Sequence, residues 1–183
     1  AGITTDPWVE AATVTTELPS SVHVKIVERE ARLITSIGTK LYLVDTKGNI
    51  FKEVSESDPG DLPVVTGIEP AAITKDREGV KLRLRRVIDL VADLEHDKVA
   101  ARYPIQEIHA NADGGLRAII GSDGIVLELG LPPYRTKIAK ANRILGELRF
   151  RAAMPDIIFL DNRVHPERVV VRMRGDQSKT AKR

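Results

Sequence analysis

The sequence has no cysteine among its 183 residues, which excludes disulfides and thiolate metal sites, although an oxidising compartment does not require disulfides. Aromatic residues are scarce at 4%, so the core has to be aliphatic. No apolar run approaches the roughly 18 residues of a membrane span, and nothing at the start has the pattern of a secretory leader. Charge of one sign is also missing. The 28 basic residues stand against 26 acidic ones, too small a surplus for a phosphate-binding field. The excess collects late, at Arg163, Arg168, Arg172, Arg174, Lys179, Lys182 and Arg183. No finger, RNP or helix-turn-helix pattern accompanies it, so a nucleic-acid partner is not expected.

What is present, 42% hydrophobic and 30% charged residues, is ordinary for a globular chain long enough for one domain or one domain plus part of a second. Leu41 and Leu43 alternate with Tyr42 and Val44, Thr46 to Asn49 offers turn chemistry around Gly48, and Ile50 and Phe51 begin a return strand. Ser55 to Asp61 is a polar loop, and Leu62 to Val65 re-enters as extended chain. Upstream, Asp6-Pro7-Trp8 has the order of a capped helix start, and Thr13 to Thr16 with Val22 to Glu28 forms a second hairpin. Asp76 to Asp97 and Tyr134 to Leu148 carry apolar residues at three- and four-residue spacing, which predicts two helices with one buried face each. In the first, Arg85 and Arg86 stand three or four residues from Asp89, the spacing of solvated ion pairs. Further strands are expected at Ile105 to Ile108, Leu116 to Ile120, Ile125 to Leu129, Asp156 to Leu160 and Arg168 to Arg174.

Nothing in this pattern is a catalytic constellation. His23, His96, His109 and His165 lack the spacing of a zinc-binding helix; His23 and His109 fall in strands, and His96 ends a helix, where its positive charge suits the dipole. Asp45 and Asp161 are the carboxylates an acid–base mechanism would choose, but both precede turns, where aspartate bonds its own backbone. The glycines fit no phosphate-cradling loop. The last strand has none after it, so its edge either invites strand addition or is an ordinary edge whose arginines prevent aggregation. Val169, Val171 and Met173 point to one face of it, and Arg168, Val170, Arg172 and Arg174 to the other.

Residues 41–51, Leu-Tyr-Leu-Val-Asp-Thr-Lys-Gly-Asn-Ile-Phe, followed by Leu-Pro-Val-Val-Thr-Gly at 62–67, resemble the signature of the FtsQ/DivIB family. These are bitopic bacterial cell-division proteins whose extracytoplasmic part is a POTRA domain followed by a β-rich domain. Residues 6–30 are similar to the second half of that POTRA unit, with Glu30 where the family often has proline. The stretch Gly124 to Gly130 before the second helix, and Phe159 to Met173, resemble the family's later motifs.

The resemblance implies an α+β fold: a partial POTRA segment at 1–28, an antiparallel β-sheet domain with two packed helices at 29–175, and a disordered tail at 176–183. The first segment is either a truncated domain or an extension packed on the next one. It further implies a non-enzymatic divisome scaffold without metal or cofactor. Such a protein is anchored in the inner membrane by a single span absent here, with this region in the periplasm. The implied partners are FtsB and FtsL, received by strand addition at Val164, Arg168, Val169, Val170, Val171, Arg172 and Met173. Where many relatives place an aromatic residue this chain has Val164, and Arg172 stands where an aromatic anchor can sit, so main-chain pairing and arginine charge would carry more of the contact. A POTRA-type component of outer-membrane protein assembly or secretion would also pair strands, but such proteins usually repeat the unit, and no internal repeat is apparent.

Overall fold

The structure is a computed structural model that describes residues 6–17, 19–162 and 164–175; the tail expected at 176–183 lies outside them. Two sheets form. β1 (Val9–Glu17) and β2 (Ser21–Glu28) make a two-stranded antiparallel ribbon. The remaining strands are β3 (Ala31–Ile37), β4 (Lys40–Asp45), β5 (Ile50–Glu53), β6 (Val64–Thr66), β7 (Ile105–Ala110), β8 (Leu116–Ile120), β9 (Ile125–Gly130), β10 (Pro155–Phe159) and β11 (Val170–Met173). They build one sheet in the order β11-β10-β9-β8-β7-β6-β3-β4-β5.

Apart from the β1–β2 hairpin, which forms the ribbon, the expected antiparallel hairpins lie in this sheet, joined by three parallel pairs, β3 with β6, β6 with β7 and β9 with β10. Two of these follow from the helices. α1 (Pro70–Lys75), α2 (Arg77–His96) and α3 (Val99–Arg102) fill the crossover from β6 to β7, and α4 (Tyr134–Phe150) fills that from β9 to β10. A long crossover returns the next strand in the same direction.

α2 begins where Asp76 caps it, its carboxylate accepting the Gly79 N–H at 2.8 Å. Its buried stripe of Val80, Leu84, Val87, Leu90, Val91 and Leu94 packs with Ile138, Ala141 and Leu145 of α4 onto one face of the sheet. Strand alternation supplies the other half of this core: β8 buries Leu116, Ala118 and Ile120, and β9 buries Ile125, Leu127 and Leu129. Each such leucine or isoleucine contributes about 1.5–3 kcal/mol. The opposite face carries Ile119, Val126, Ile157 and the ion pair Arg117–Glu128 (2.6 Å), all half-buried or exposed.

Two expectations are corrected, and one strand is added to those expected. Asp6-Pro7-Trp8 starts no helix: Asp6 accepts the Trp8 N–H at 2.9 Å within a turn, and the β-branched run that follows enters β1 directly. β3 lies at the centre of one hairpin with β4 and was not foreseen, because Leu33, Ile34 and Thr35 are buried consecutively and mask the alternation. No ion pair links Arg85 or Arg86 to Asp89 among the described residues.

Candidate functional site

Because α4 returns the chain beside β9, β10 joins the sheet parallel to it and β11 folds back as an antiparallel edge strand. Two hydrogen bonds fix which way its backbone faces. Arg174 N–H donates to the Met154 carbonyl at 3.0 Å, so alternation aims the N–H and C=O of Arg172 and Val170 at β10 as well. Leu160 N–H donates to the Glu128 carbonyl at 2.9 Å, which turns Ile158 towards β9 and leaves Ile157 and Phe159, the register partners of Arg172 and Val170, facing β11. The two readings agree. The backbone groups of Val171 and Met173 therefore point away from β10, and among the described residues no strand pairs with them.

The side chains divide as alternation requires. Val169 and Val171 are half-buried against the core. Val170 is 57% exposed and stands opposite Phe159, itself 39% exposed; beside them lies an open hollow of about 500 Å³ lined by Glu128, Asp161 and Asn162. Met173 is half-buried, Arg168 exposed, and Val164 81% exposed on the preceding loop.

Arg172 is less free than its position suggests. Its Nε and guanidinium nitrogen donate to the Asp156 carboxylate at 2.8 and 2.5 Å. Asp156 occupies the bulge between Pro155 and Ile157, so counting the hairpin back from Arg172 without that bulge does not find it. Of the residues singled out from sequence, Val164, Arg168, Val170 and Arg172 are exposed, and of these Arg172 is held by Asp156.

The loop that delivers β11 is braced. Lys137 of α4 donates to Asp161 at 2.8 Å and to the Leu129 and Leu131 carbonyls at 2.6 and 2.7 Å, tying α4, the end of β9 and the end of β10 together. Gly130 is required there: at φ +61 an added Cβ would stand 2.0 Å from Asp161 Oδ2. Asp161 is thus held by a lysine as well as placed before a turn. The turn itself is made by Asn162, whose Oδ1 accepts the Val164 and His165 N–H groups at 3.2 and 2.8 Å.

The other candidate carboxylate, Asp45, is 1% exposed and does what its turn position predicts. It accepts the N–H groups of Lys47 and Asn49, the Asn49 side chain, and Arg29 at 2.8 Å. Burial pushes its carboxyl up, but the hydrogen bonds from Asn49, Lys47 and Arg29 outweigh this and hold it below the usual carboxylate range. His23 is exposed, and His109 Nδ1 meets Thr66 Oγ1 at 2.7 Å. His96 stands in the last turn of α2, as expected, and Arg135 of α4 approaches its Nε2 at 3.1 Å. Among the described residues, no group of three or more histidines and carboxylates is arranged to hold a metal.

These features define an α+β domain, helices on one sheet face, ending in an edge strand whose outer backbone is unpaired among the described residues. The family model "Cell division protein FtsQ/DivIB, C-terminal" matches residues 33–163, and the chain belongs to that family. It is similar to "Cell division protein FtsQ" of Geotalea daltonii, 30% identical over 91% of this chain and 59% of the relative. It is also similar to the proteins of that name from Anaeromyxobacter, 31% identical over 96% of the chain and 59% of the relative, and Myxococcus fulvus, 28% identical over 94% and 60%. The chain thus spans about three fifths of the length of the curated relatives it matches.

Proposed function

We propose that this chain is the extracytoplasmic part of a bacterial division scaffold, without catalysis of its own, that receives the extracytoplasmic segment of FtsB, together with its partner FtsL, as a strand added to β11. The observation that carries the reading is the backbone of Val171 and Met173, aimed outward from a strand braced on its other side. An added strand gains main-chain hydrogen bonds there, and its alternate side chains meet Val170 and the hollow beside Phe159 on one face. Arg168 supplies positive charge at the approach. Membership of a cell-division family supports the setting.

Residues 1–28 are read as the C-terminal half of a POTRA-like unit. The β1–β2 ribbon forms its own sheet, and Val14, Val22, Val24 and Ile26 are 47–61% exposed along it. A lone hairpin is marginally stable, which fits an element made to be completed. The full-length protein is placed in the inner membrane by a single span, with this region in the periplasm; no helix among the described residues is long and apolar enough to cross a membrane.

The test is calorimetric titration of FtsB and FtsL segments into the wild-type chain and into Val171→Pro, which deletes one outward N–H while keeping an apolar ring. Proline is tolerated on an edge strand when its missing donor faces solvent. Binding that weakens tenfold or more in a variant with an unchanged circular dichroism spectrum supports the reading; equal affinity for both chains refutes it.

A further inference from the structure

At the opposite end of β11 from the Asn162 turn, the chain leaves α4 through Arg149, Phe150 and Arg151 before β10 begins. Phe150 is 93% exposed, the most exposed large apolar side chain in the molecule's described part, and Met154 is 42% exposed. Met154 lines an apolar hollow of about 300 Å³, chiefly with Tyr103, Ile125, Leu145, Leu148 and Ala153, and Arg149, the residue before Phe150, stands on its rim. That volume is at the bottom of the range for small-molecule sites and suits one large side chain better than a cofactor.

The charge around it has one sign to spare. Arg102, next to Tyr103, and Arg149 and Arg151 are exposed, and their guanidinium groups have no hydrogen bond or ion pair among the described residues. The acid on the rim, Asp123, is engaged by Arg174. Cations at the end of α4 complement its dipole, but that effect needs neither the exposed phenyl ring nor the hollow. The site is continuous with the sheet edge: Pro155 borders the hollow and is the register partner of Met173.

We infer that this hollow is a second docking point, which takes a large apolar side chain of a protein segment flanked by acidic residues. The apolar side chain fills the space against Leu148 and Met154, Phe150 covers it from the last turn of α4, and the carboxylates pair with Arg149, Arg151 and Arg102. The inference goes beyond strand addition and stands on the chemistry of the hollow alone.

The test is titration of the ¹⁵N-labelled chain with a blocked Glu-Glu-Trp-Glu-Glu peptide, followed by amide shifts. Saturable shifts confined to Tyr103, Leu148 and residues 152–154 are expected, with at least fivefold weaker binding by Arg149→Glu/Arg151→Glu. Both variant side chains are exposed, and the same spectra report whether the fold is kept. Val171→Pro should bind the peptide as the wild type does, so this result and that of the FtsB titration fail independently. Absence of saturable shifts, or equal shifts with Lys-Lys-Trp-Lys-Lys, would overturn the proposal.

Discussion

Arg29 places a guanidinium nitrogen 2.8 Å from the Asp45 carboxylate, and this pair joins the segment after the β1–β2 ribbon to the turn of the β4–β5 hairpin. The arginine also lies 5.8 Å from the centre of the Phe51 ring, which meets Trp8 edge-on with centroids 5.3 Å apart. Arg29 N–H donates to the Trp8 carbonyl at 2.7 Å, and Glu10 pairs with Lys47. One buried carboxylate therefore organises both a turn and the seam where ribbon and large sheet meet.

Asp45→Ala strips the acceptor from Arg29, Lys47 and Asn49 at once. Arg29 is 23% exposed and partly resolvated by water, so the loss should be about 2–4 kcal/mol rather than that of a fully enclosed pair. Urea denaturation measures it. A loss below about 0.5 kcal/mol would mean that the turn holds without its carboxylate.

The same group sets a pH dependence. The folded Asp45 has its carboxyl below the ordinary value, so its contribution is complete above the unfolded value of about 3.9. It is lost as pH falls through the folded one. Urea midpoints measured from pH 7 down to pH 2.5 should fall below pH 4 more steeply in the wild type than in Asp45→Asn, which is already weakened at neutral pH.

Gly67 and Gly124 separate two costs. Both have positive φ, +84 and +67, but a Cβ on Gly67 would stand 2.2 Å from the Ala110 carbonyl, whereas at Gly124 nothing lies within 4 Å. Gly124→Ala should cost about 1–2 kcal/mol, the penalty of the left-handed conformation. Gly67→Ala should cost distinctly more, because β6 and β7 would have to part. Thermal melts of the two variants compare them directly.

Much of this was legible in the sequence because it rests on local rules. Asp45 before Lys47-Gly48-Asn49 predicts its own hydrogen bonds, and the three- and four-residue spacing along α2 predicts its buried face. The last strand is expected at Arg168–Arg174 as an edge because no strand follows it in the sequence, and its alternation predicts which side chains share a face. What could not be read depends on register. Arg172 is engaged by Asp156 only because a bulge in β10 brings the two together. β3 hides because consecutive burial on both faces erases a period of two. The Phe150 surface gives no periodic signal at all, since it lies where a helix frays into the next strand.

Backbone direction along β11 separates neighbouring prolines. Val170→Pro removes an N–H aimed at β10 and should cost about 1–3 kcal/mol of stability, whereas Val171→Pro, whose missing N–H faces outward, should cost less. Comparing their urea midpoints tests the assigned directions; equal losses would contradict them, and a larger loss for Val171→Pro would reverse them.

The most direct measurement is amide hydrogen exchange of the chain alone and saturated with the FtsB segment. In the free chain Val170 and Arg172 should already be protected, and Val171 and Met173 should exchange freely. Addition of the segment should slow Val171 and Met173 at least tenfold, because their N–H groups gain the partner's carbonyls. Should both continue to exchange freely at saturation, the segment binds elsewhere and strand addition to β11 is wrong.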